Sequence, residues 1–393
     1  MSSYTPGTAA WAENERLRAE LNAIAASEGR VAAWSVSDRL DALRDAFKAG
    51  YLRPTGELHP LAEHFLQGSG LTFRRLAEES LALAGRRMPA DGGDGWPVIQ
   101  AAALSTEHFP SVVLETARGI ARELQNDAFA DVLALTAPLQ VQNYQESSYS
   151  AVDLEDMPIP SARTGGEFAY PTVRMTGEIF AAYSAPARLL LTLQAMVGDE
   201  RQFLAAAMAA FLNVCARNEL SRIAALLTAN GNLQDGAAWM ASAAGNDVTG
   251  APLTVAGLGV AMAALRETPT VAGEPCNARL AAVAVHPDDE AAVLEVVQKL
   301  PQDRQPTVVA LPGLAASTYW YAFGAPAQTP AIGRATLRGS DPSGVAISGL
   351  VPASRYDPSA GEQVSYPGLY IDMAHTAGLA PLGRCGLVRC AKT

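Results

Sequence analysis

The longest helical pattern in the sequence is DERQFLAAAMAAFLNVCARNELSRIAALLTAN, which runs from Asp199 to Asn230. Its acidic first residues favour the positive end of a helix dipole, and Asn230 followed by Gly231 is typical of a helix stop. A helix of this length spans roughly 45 Å at about 1.5 Å per residue. Its small residues, Ala205, Ala206, Ala207, Ala209 and Ala210, permit close packing along one side. We therefore predict a rigid spine helix around which the remaining elements are arranged.

The chain after this helix alternates between helical and strand-like patterns. Helices are predicted over residues 254–268 and 287–300, and each is followed by a run typical of a buried strand. Further strands are predicted over 317–325 and 333–339, and the segment from Gly368 to the end again resembles strands. Helices and strands in this order indicate an α+β fold with mixed strand pairing.

The chain before the spine helix is strand-like from residue 141 to 195 and contains TGGEFAYPTVRMTG, Thr164 to Gly177. Glycines let the backbone bend where other residues would be strained. A glycine pair before a carboxylate fits a phosphate-cradling turn, a catalytic loop or the bend of an exposed β-arm. The residues alone leave these three interpretations open.

Residues 1 to about 100 predict helices with few large apolar side chains. The segment VSDRLDALRDAFKAG is predicted to begin at a Ser37 cap and to stop at Gly50, and LTFRRLAEESLALAG predicts another amphipathic helix. The following MPADGGDGWP has the composition of a linker. We therefore predict a scaffold-like appendage here rather than a catalytic core.

The composition excludes several classes of protein. The chain has 393 residues, a net charge of −11 and a pI near 5.0. General wrapping around DNA needs a basic surface, so no direct DNA recognition is predicted, although an acidic protein can form a container wall beside DNA. No stretch has the pattern of a secretion signal or the length of a membrane span, which predicts synthesis in the cytoplasm.

The cysteines do not indicate a metal site. Cys215 and Cys276 are isolated, and the pair Cys385 and Cys390 lacks the second ligand pair that a zinc site requires. We predict that they are buried thiols in a reducing compartment.

The segment that most resembles an enzyme motif is AVAVHPDDEAAV, which is similar to the zinc-binding opening of LmbE-like N-deacetylases. That resemblance implies that His286 and Asp289 bind zinc while Asp288 acts as the base. A zinc site of this kind needs a further ligand, but the chain after His286 offers only His375 and no H-x-x-H. The structural interpretation is that Pro287 opens a helix whose acidic first turn favours the dipole.

The order of several segments resembles one known family, the Mu-like and protease-fused phage major head proteins. LSTEHFPSVVLETARGIARELQ is similar to the segment that opens their mature region, and RTGGEFAYPTV is similar to their glycine-containing arm. The spine helix with its continuation GNLQDGAAW is similar to their long helix. The helix and strand of GAPLTVAGLGVAMAALRET and ARLAAVAVHPDDEAAVLEVV follow in the same order, and together these segments cover roughly residues 70–393.

This resemblance implies an α+β fold of the type named after bacteriophage Hong Kong 97. The implied regions are a helical N-terminal region and linker (1–100), an N-arm (101–139), an E-loop (140–182), a P-domain with the spine helix (183–249), an A-domain (250–365) and C-terminal strands returning to the P-domain (366–393). The E-loop would be an exposed arm that lies across a neighbouring subunit. Its predicted assembly residues are Gly165, Gly166, Glu167, Phe168, Tyr170 and Val173.

The implied function is that of a major capsid protein, which has no enzymatic activity and no cofactor. Its implied partners are other copies of itself in pentamers and hexamers, a portal protein, and double-stranded DNA held without sequence-specific binding or a membrane. No protease domain precedes Met1, so a maturation protease and a scaffold are expected to be encoded separately. The assembled particle would be a virion capsid built in the bacterial cytoplasm. The alternatives are an encapsulin-like nanocompartment shell and the zinc-dependent N-deacetylase.

Overall fold

The computed structural model describes residues 35–51, 58–66, 71–89, 95–155, 172–192, 195–196, 201–314, 318–338, 344–357 and 362–392. The chain divides into two compact units. The first comprises Met1–Leu124, Pro186–Ala210 and Ile347–Ala374, and the second comprises Gln125–Ala185, Phe211–Ala346 and His375–Thr393.

The N-terminal helices are α1 (Val36–Ala49), α2 (Ala62–Leu66), α3 (Phe73–Leu83) and α4 (Trp96–Ser105). Helix α1 begins at Ser35, whose hydroxyl accepts the backbone N–H of Asp38 at 3.1 Å. The predicted Ser37 cap is therefore wrong. A capping residue needs an extended backbone just before the first turn; Ser35 has it, whereas Ser37 already lies within the helix. The predicted stop at Gly50 is confirmed.

These helices enclose a filled apolar core, so the prediction of a thinly apolar appendage is wrong in this respect. The rings of Phe47 and Phe73 meet edge to face at 5.1 Å, and both side chains are almost fully buried. Short helices need only one buried face, and most of their large apolar residues lie on it. Further buried members are Leu43, Phe65, Leu76, Leu81, Val98 and Ile99.

The next elements are α5 (His108–Ala128), α6 (Ala130–Leu135) and β1 (Ala137–Val141). Helix α5 buries one side, which includes Phe109 and Ile120. Within the first unit, Arg44 of α1 pairs with Glu115 of α5 at 2.9 Å. The N-terminal helices and most of α5 therefore belong to one compact unit rather than to a separate appendage.

The strands β2 (Ser147–Glu155), β3 (Thr172–Phe180) and β4 (Tyr183–Thr192) lead to α7 (Arg201–Ala229), which is the predicted spine helix. Its end is confirmed, because Asn230 takes the left-handed φ of 43° that stops a helix. The alanines that permit close packing do not form the buried side, since Ala206 and Ala210 are exposed. Larger side chains about one turn apart form the buried stripe instead: Leu204, Met208, Leu212, Cys215, Ile223 and Leu227.

The remaining elements are β5 (Asp247–Val248), α8 (Val255–Glu267), β6 (Leu280–Val285), α9 (Glu290–Gln298), β7 (Thr307–Ala310), β8 (Tyr319–Gly324), β9 (Ile332–Leu337), β10 (Val345–Asp357), β11 (Glu362–Pro381) and β12 (Leu387–Ala391). The predicted alternation of helices and strands after the spine helix is confirmed. So is the predicted α+β character of the chain.

One sheet has the strand order β5-β12-β8-β6-β7. Strand β6 pairs parallel with β7 and antiparallel with β8, which confirms the predicted mixed pairing. Helices α8 and α9 share a core with this sheet, in which Leu258 and Val293 pack with Val283 and Trp320. The indole N–H of Trp320 donates to the carbonyl of Ala251 at 2.8 Å, so this large buried ring keeps its polar atom satisfied.

A second sheet has the order β1-β9-β11-β10, with β4 also paired to β11. Strand β1 runs parallel to β9, and β11 runs antiparallel to it. The predicted C-terminal strands therefore divide between the sheets, because β11 joins this one and β12 joins the other. Among the described helices, none combines the length and apolar character that crossing a membrane requires.

A buried ionic cluster joins the spine helix to this second sheet within the second unit. Arg334 of β9 donates to both carboxylate oxygens of Glu219 of α7, at 2.6 and 2.7 Å. His375 Nε2 of β11 lies 2.8 Å from Glu219 Oε1. Arg334 is also stacked over the ring of Phe129, 5.1 Å from its centroid. Residues far apart in sequence are thus held in one orientation.

The ionisation of Glu219 is linked to stability. Burial raises the pKa of Glu219, but hydrogen bonds from Arg334 and His375 outweigh burial, so its pKa lies below the ordinary value. A carboxyl group whose pKa is lowered by folding stabilises the protein above its unfolded pKa. The cluster therefore loses its stabilising effect as the pH falls through the lowered pKa of the folded state.

Removing the arginine from this cluster should destabilise the second unit. In Arg334→Met, Glu219 stays buried without its guanidinium partner, and such changes reduce the free energy of unfolding by about 3 kcal/mol. Urea unfolding followed by circular dichroism measures the loss. The control is Arg304→Met, because Arg304 is largely exposed and lies 3.9 Å from Asp303. That change should alter stability by less than about 0.5 kcal/mol. Equal losses in the two variants would contradict the prediction.

Candidate functional site

Strands β2 and β3 form an antiparallel hairpin, here called the arm, that is a two-stranded sheet of its own. The register runs from Ser147 opposite Phe180 to Glu155 opposite Thr172. Within the part of the chain that the structure describes, neither strand pairs with a third one. A lone two-stranded hairpin is marginally stable in water, and its outer edges carry hydrogen-bonding groups that can pair with another chain. The arm is therefore a candidate assembly element.

Most of the predicted assembly residues belong to the segment between these two strands. Gly165, Gly166, Glu167, Phe168 and Tyr170 lie outside the described residues. Val173 lies in β3 and pairs with Leu154 of β2.

The root of the arm is the end at which β3 stops, at Phe180, and the chain continues through Ala182. An apolar cluster on the second sheet fixes this root. Phe180 and Ala182 pack with Val141 of β1, Ala335 of β9 and Ala380 of β11. Each is less than 9 % exposed. Burying apolar surface stabilises by about 25 cal/mol per Å², and here it holds the two ends of the hairpin against a larger sheet. The arm is thus anchored at its root.

A glycine permits this close approach. Gly378 of β11 pairs with Ala335 and lies against the backbone carbonyl of Ala181, just after the end of the arm. A Cβ at Gly378 would overlap that carbonyl oxygen. The chain between β3 and β4 therefore passes over β11 at a distance that only glycine allows.

A polar network ties the same root to two distant segments of the second unit. Glu178 of β3 is 6 % exposed and accepts the backbone N–H of Gln234 at 3.2 and 3.3 Å. Arg384 pairs with Asp235, donating from Nη2 to Oδ1 at 2.9 Å, and also donates to the carbonyls of Ala237 and Ala238 at 3.1 Å. The turn after the spine helix is thereby joined to the arm and to the loop before β12.

The two carboxylates of this network have opposite pKa shifts. Burial raises the pKa of Glu178, and the nearby charge of Asp235 adds to the increase. The hydrogen bond from Arg384 lowers the pKa of Asp235 to about 2. The negative charge of Glu178 is therefore unfavourable in the folded chain, whereas that of Asp235 is favourable.

The arm presents apolar side chains outward near its root. Burial alternates along β3, since Glu178 and Phe180 face inward while Ile179 is 47 % exposed. Tyr144 and Tyr183, which flank the arm in the sequence, are 53 % and 64 % exposed. Exposed large side chains beside open strand edges form a surface suited to a protein partner.

Sequence reasoning missed Glu178, Arg384 and Ile179 at this site. The alternation of residue types along Gly177–Phe180 could have identified the outward position of Ile179. Nothing in the local sequence indicates that Arg384 reaches Asp235, because the two residues come together only when the sheets form.

The candidate zinc motif has an ordinary structural role. His286 Nδ1 accepts the backbone N–H of Asp288 at 3.3 Å and so caps a short helical turn opened by Pro287. This confirms the helix-start interpretation. Asp289 pairs with Lys392, and the other histidine after the motif, His375, contacts Glu219. Among the described residues, no three His, Cys, Asp or Glu side chains are placed to hold a metal ion.

Comparison with known protein families gives one match. Residues 187–368 match the family described as phage capsid protein. This segment includes part of β4, the spine helix, α8, α9 and strands of both sheets. No curated protein sequence matches the chain.

Several solved structures are similar at low identity. The capsid of the cyanophage P-SCSP1u is 11 % identical with a TM-score of 0.39, over 65 % of this chain and 86 % of that one. The SrpI encapsulin complex from Synechococcus elongatus is 10 % identical with a TM-score of 0.41, over 67 % and 86 %. A virus-like particle from Pyrococcus furiosus is 11 % identical with a TM-score of 0.39, over 69 % and 97 %.

Adding a methyl group at the root of the arm should be disruptive. In Gly378→Ala the new Cβ must displace the carbonyl of Ala181, so the free energy of unfolding should fall by about 2 kcal/mol. Gly177→Ala is the matched control, because Gly177 lies on β3 with no heavy atom within 4 Å of the added Cβ. That change should alter stability by less than about 1 kcal/mol. Thermal unfolding of both variants tests the difference, and equal melting temperatures would contradict it.

Neutralising the two carboxylates should have opposite effects. Glu178→Gln removes an unfavourable buried charge, so the melting temperature should rise at neutral pH, and the gain should vanish in acid, where Glu178 is protonated. Asp235→Asn removes a favourable charge, so the melting temperature should fall at neutral pH. Its deficit should shrink as the pH falls below the unfolded pKa of aspartate towards about 2. Scanning calorimetry at several pH values measures both effects. Shifts of the same sign would show that the network is misassigned.

Proposed function

We propose that the chain is a capsid shell protein whose copies assemble into an icosahedral phage head that encloses DNA. The match of residues 187–368 to the phage capsid protein family supports this proposal. The observation that carries this proposal is the anchored arm, whose outer edges pair with no other strand among the described residues and which has exposed apolar side chains near its root. A structural rather than enzymatic role accords with the family.

The family match confirms the predicted phage-capsid resemblance. The Hong Kong 97-type α+β prediction names a two-stranded arm, a spine helix and a mixed sheet carrying helices, and the chain contains all three. The matched segment includes the helix and most of that sheet, so the fold class is confirmed. The narrower resemblance to Mu-like and protease-fused head proteins stays a prediction.

The arm is proposed to serve as the E-loop, over residues 140–182. Lying across a neighbouring copy would complete its open edges by strand pairing and would bury its exposed side chains. Phe168, Tyr170 and Val173 are the proposed anchors on the neighbour, with Gly165, Gly166 and Glu167 forming the bend. Ile179 adds a proposed contact at the root. A hairpin that is marginal alone becomes stable in this arrangement.

The other regions receive proposed roles from their order along the chain. Residues 1–100 are the helical N-terminal region, 101–139 the N-arm, 183–249 the P-domain, 250–365 the A-domain and 366–393 the returning C-terminal strands. The 29-residue helix α7 supports the P-domain assignment, because a rigid strut suits a subunit that must keep its shape within a shell. The sheet carrying α8 and α9 supports the A-domain assignment.

The proposed partners follow from a shell that stores a genome. Copies of the chain form pentamers and hexamers, a portal protein occupies one vertex, and a separate scaffold and protease guide maturation in the host cytoplasm. The net charge of −11 supports containment of double-stranded DNA without sequence-specific binding. An encapsulin-like shell would instead enclose a protein cargo.

Assembly should depend on the outward face of the arm. The purified chain should form closed particles in negative-stain images, and Ile179→Asp should shift most protein to unassembled subunits in sedimentation velocity, because a charge replaces an apolar contact. The control is Val36→Asp, since Val36 is similarly exposed, at 52 %, but begins helix α1 far along the sequence from the arm. That variant should assemble normally.

Three results would refute parts of this proposal. A purified wild-type chain that stays monomeric under all assembly conditions would refute the shell. Equal particle yields from Ile179→Asp and wild type would refute the role of the root of the arm. Particles from an infected or induced host that contain a protein cargo and no DNA would favour the encapsulin-like alternative.

A further inference from the structure

A cavity of about 600 Å³ lies in the second unit beside the root of the arm. Tyr149 and Glu178 line it from the arm, and Asp235 and Arg384 line it from the polar network described above. Its wall also includes the loop after α8 and the turn before β12. Each of these two segments contributes a cysteine to the lining, Cys276 and Cys385 respectively.

The two cysteines contact the same short stretch of backbone, Thr268–Pro269. Cys385 Sγ is 3.6 Å from the carbonyl oxygen of Pro269. Pro269 forms an antiparallel bridge with Pro275, which directly precedes Cys276. The backbone N–H of Cys276 donates to Thr268 at 2.9 Å, one residue before Pro269. Residues 276 and 385, distant in sequence, are thereby brought to one wall of one cavity.

The other two cysteines provide a contrast within the same chain. Cys215 and Cys390 are buried, and burial raises the pKa of each thiol to about 12. A thiol with such a pKa forms almost no thiolate at neutral pH, and the thiolate is the species that reacts with disulfides. Cys276 and Cys385 are only partly buried and line an open cavity. Of the four thiols, these two are therefore the more accessible to a dissolved reagent.

Metal binding is not the chemistry that this cavity favours. Zinc sites need three or four protein ligands in a compact set. Among the described residues, no three His, Cys, Asp or Glu side chains are placed to hold a metal ion, although carboxylates also line this cavity. Two thiols that line one cavity are suited to redox chemistry instead.

We propose that Cys276 and Cys385 are a thiol pair that forms a reversible intramolecular disulfide. The oxidant is a low-molecular-weight disulfide. The thiolate of one cysteine attacks it, forming a mixed disulfide and releasing one small thiol. The second cysteine then loses its proton and attacks the protein sulfur of that mixed disulfide, which forms the Cys276–Cys385 bond and releases the second small thiol. Two electrons and two protons pass to the small disulfide.

This bond would link the turn before β12 to the loop after α8. It would close a covalent ring that contains β6 to β11, and closing so long a loop restricts the unfolded chain. The same turn carries Arg384, which holds Asp235 beside the arm. Oxidation would therefore stiffen the wall of the cavity against which the root of the arm rests. The proposal does not depend on the proposed function, because it concerns one folded chain.

The sequence makes the test direct, because trypsin separates all four cysteines. Cleavage leaves Cys276 in ETPTVAGEPCNAR, Cys385 in CGLVR, Cys390 in CAK and Cys215 in QFLAAAMAAFLNVCAR. The full chain is purified with reductant, exchanged into oxidised glutathione at neutral pH, quenched in acid, alkylated under denaturing conditions and measured by mass spectrometry. We expect the oxidised chain to accept alkyl groups only at Cys215 and Cys390. A linked pair of ETPTVAGEPCNAR and CGLVR should appear and should vanish on reduction.

Two single variants serve as matched controls. In Cys276→Ser and in Cys385→Ser the remaining cavity cysteine should carry glutathione, because no second thiol is present to displace it. The wild-type chain should melt at a higher temperature when oxidised than when reduced, and neither variant should show this upward shift. Both variants retain a partly exposed polar side chain of similar size, and their folding is checked by circular dichroism.

Several outcomes would overturn the proposal. Glutathione on both cavity cysteines of the wild-type chain, without the linked peptide, would show that the sulfurs do not reach each other. Four alkylated cysteines after oxidation would show that the pair does not react. Covalent dimers on a non-reducing gel, without the linked peptide within one chain, would assign the chemistry to contacts between copies.

Discussion

The buried contact between Glu219, Arg334 and His375 fixes how the spine helix meets the second sheet. Apolar side chains would let a long helix slide or rotate with little penalty, because burial of apolar surface is not directional. A carboxylate held at 2.6 and 2.7 Å by a planar guanidinium tolerates no such movement. Removing the charged groups of this cluster from water costs free energy that offsets their attraction. The cluster therefore fixes the orientation of the helix more than it raises the net stability of the fold. A subunit that must repeat the same geometry many times benefits from an orientation fixed in this way.

The arm depends on that fixed sheet for its position, because a two-stranded hairpin is only marginally stable by itself. Its inward face combines an apolar anchor at Phe180 with a carboxylate, Glu178, whose charge is unfavourable there. Gly378 lets the backbone after the arm pass directly over β11. The chain therefore concentrates its contacts at the root and leaves the edges of the arm without partners among the described residues. In the proposed E-loop role, those edges would pair with a neighbouring copy.

Sequence patterns predicted the elements far better than their contacts. The spine helix, α8, α9 and the strands between them follow from periodicity and from local stop signals such as Asn230, because these signals act within a few residues. The Ser37 cap was wrong by two residues, since Ser35 and Ser37 have the same side chain and only the backbone distinguishes them. The alanines of the spine helix do not form its buried side, because small residues permit close packing without requiring it. The N-terminal core was underestimated, since a count of large residues does not show that they share one face.

The contacts that define the candidate site could not be predicted for a different reason. Glu219 and Arg334 are 115 residues apart, and Asp235 and Arg384 are 149 apart. No periodic pattern reports on such pairs, because each forms only after helices and sheets have already met. The same holds for Cys276 and Cys385, whose spacing in the sequence fits neither a metal site nor a disulfide motif. Yet the fold brings the arm, the turn after the spine helix, the loop after α8 and the turn before β12 around one cavity. Because Arg384 and Cys385 are adjacent residues, a bond formed by the thiol constrains the backbone that positions the guanidinium. Through Asp235, that guanidinium holds the turn whose backbone N–H at Gln234 is bonded to Glu178 at the root of the arm.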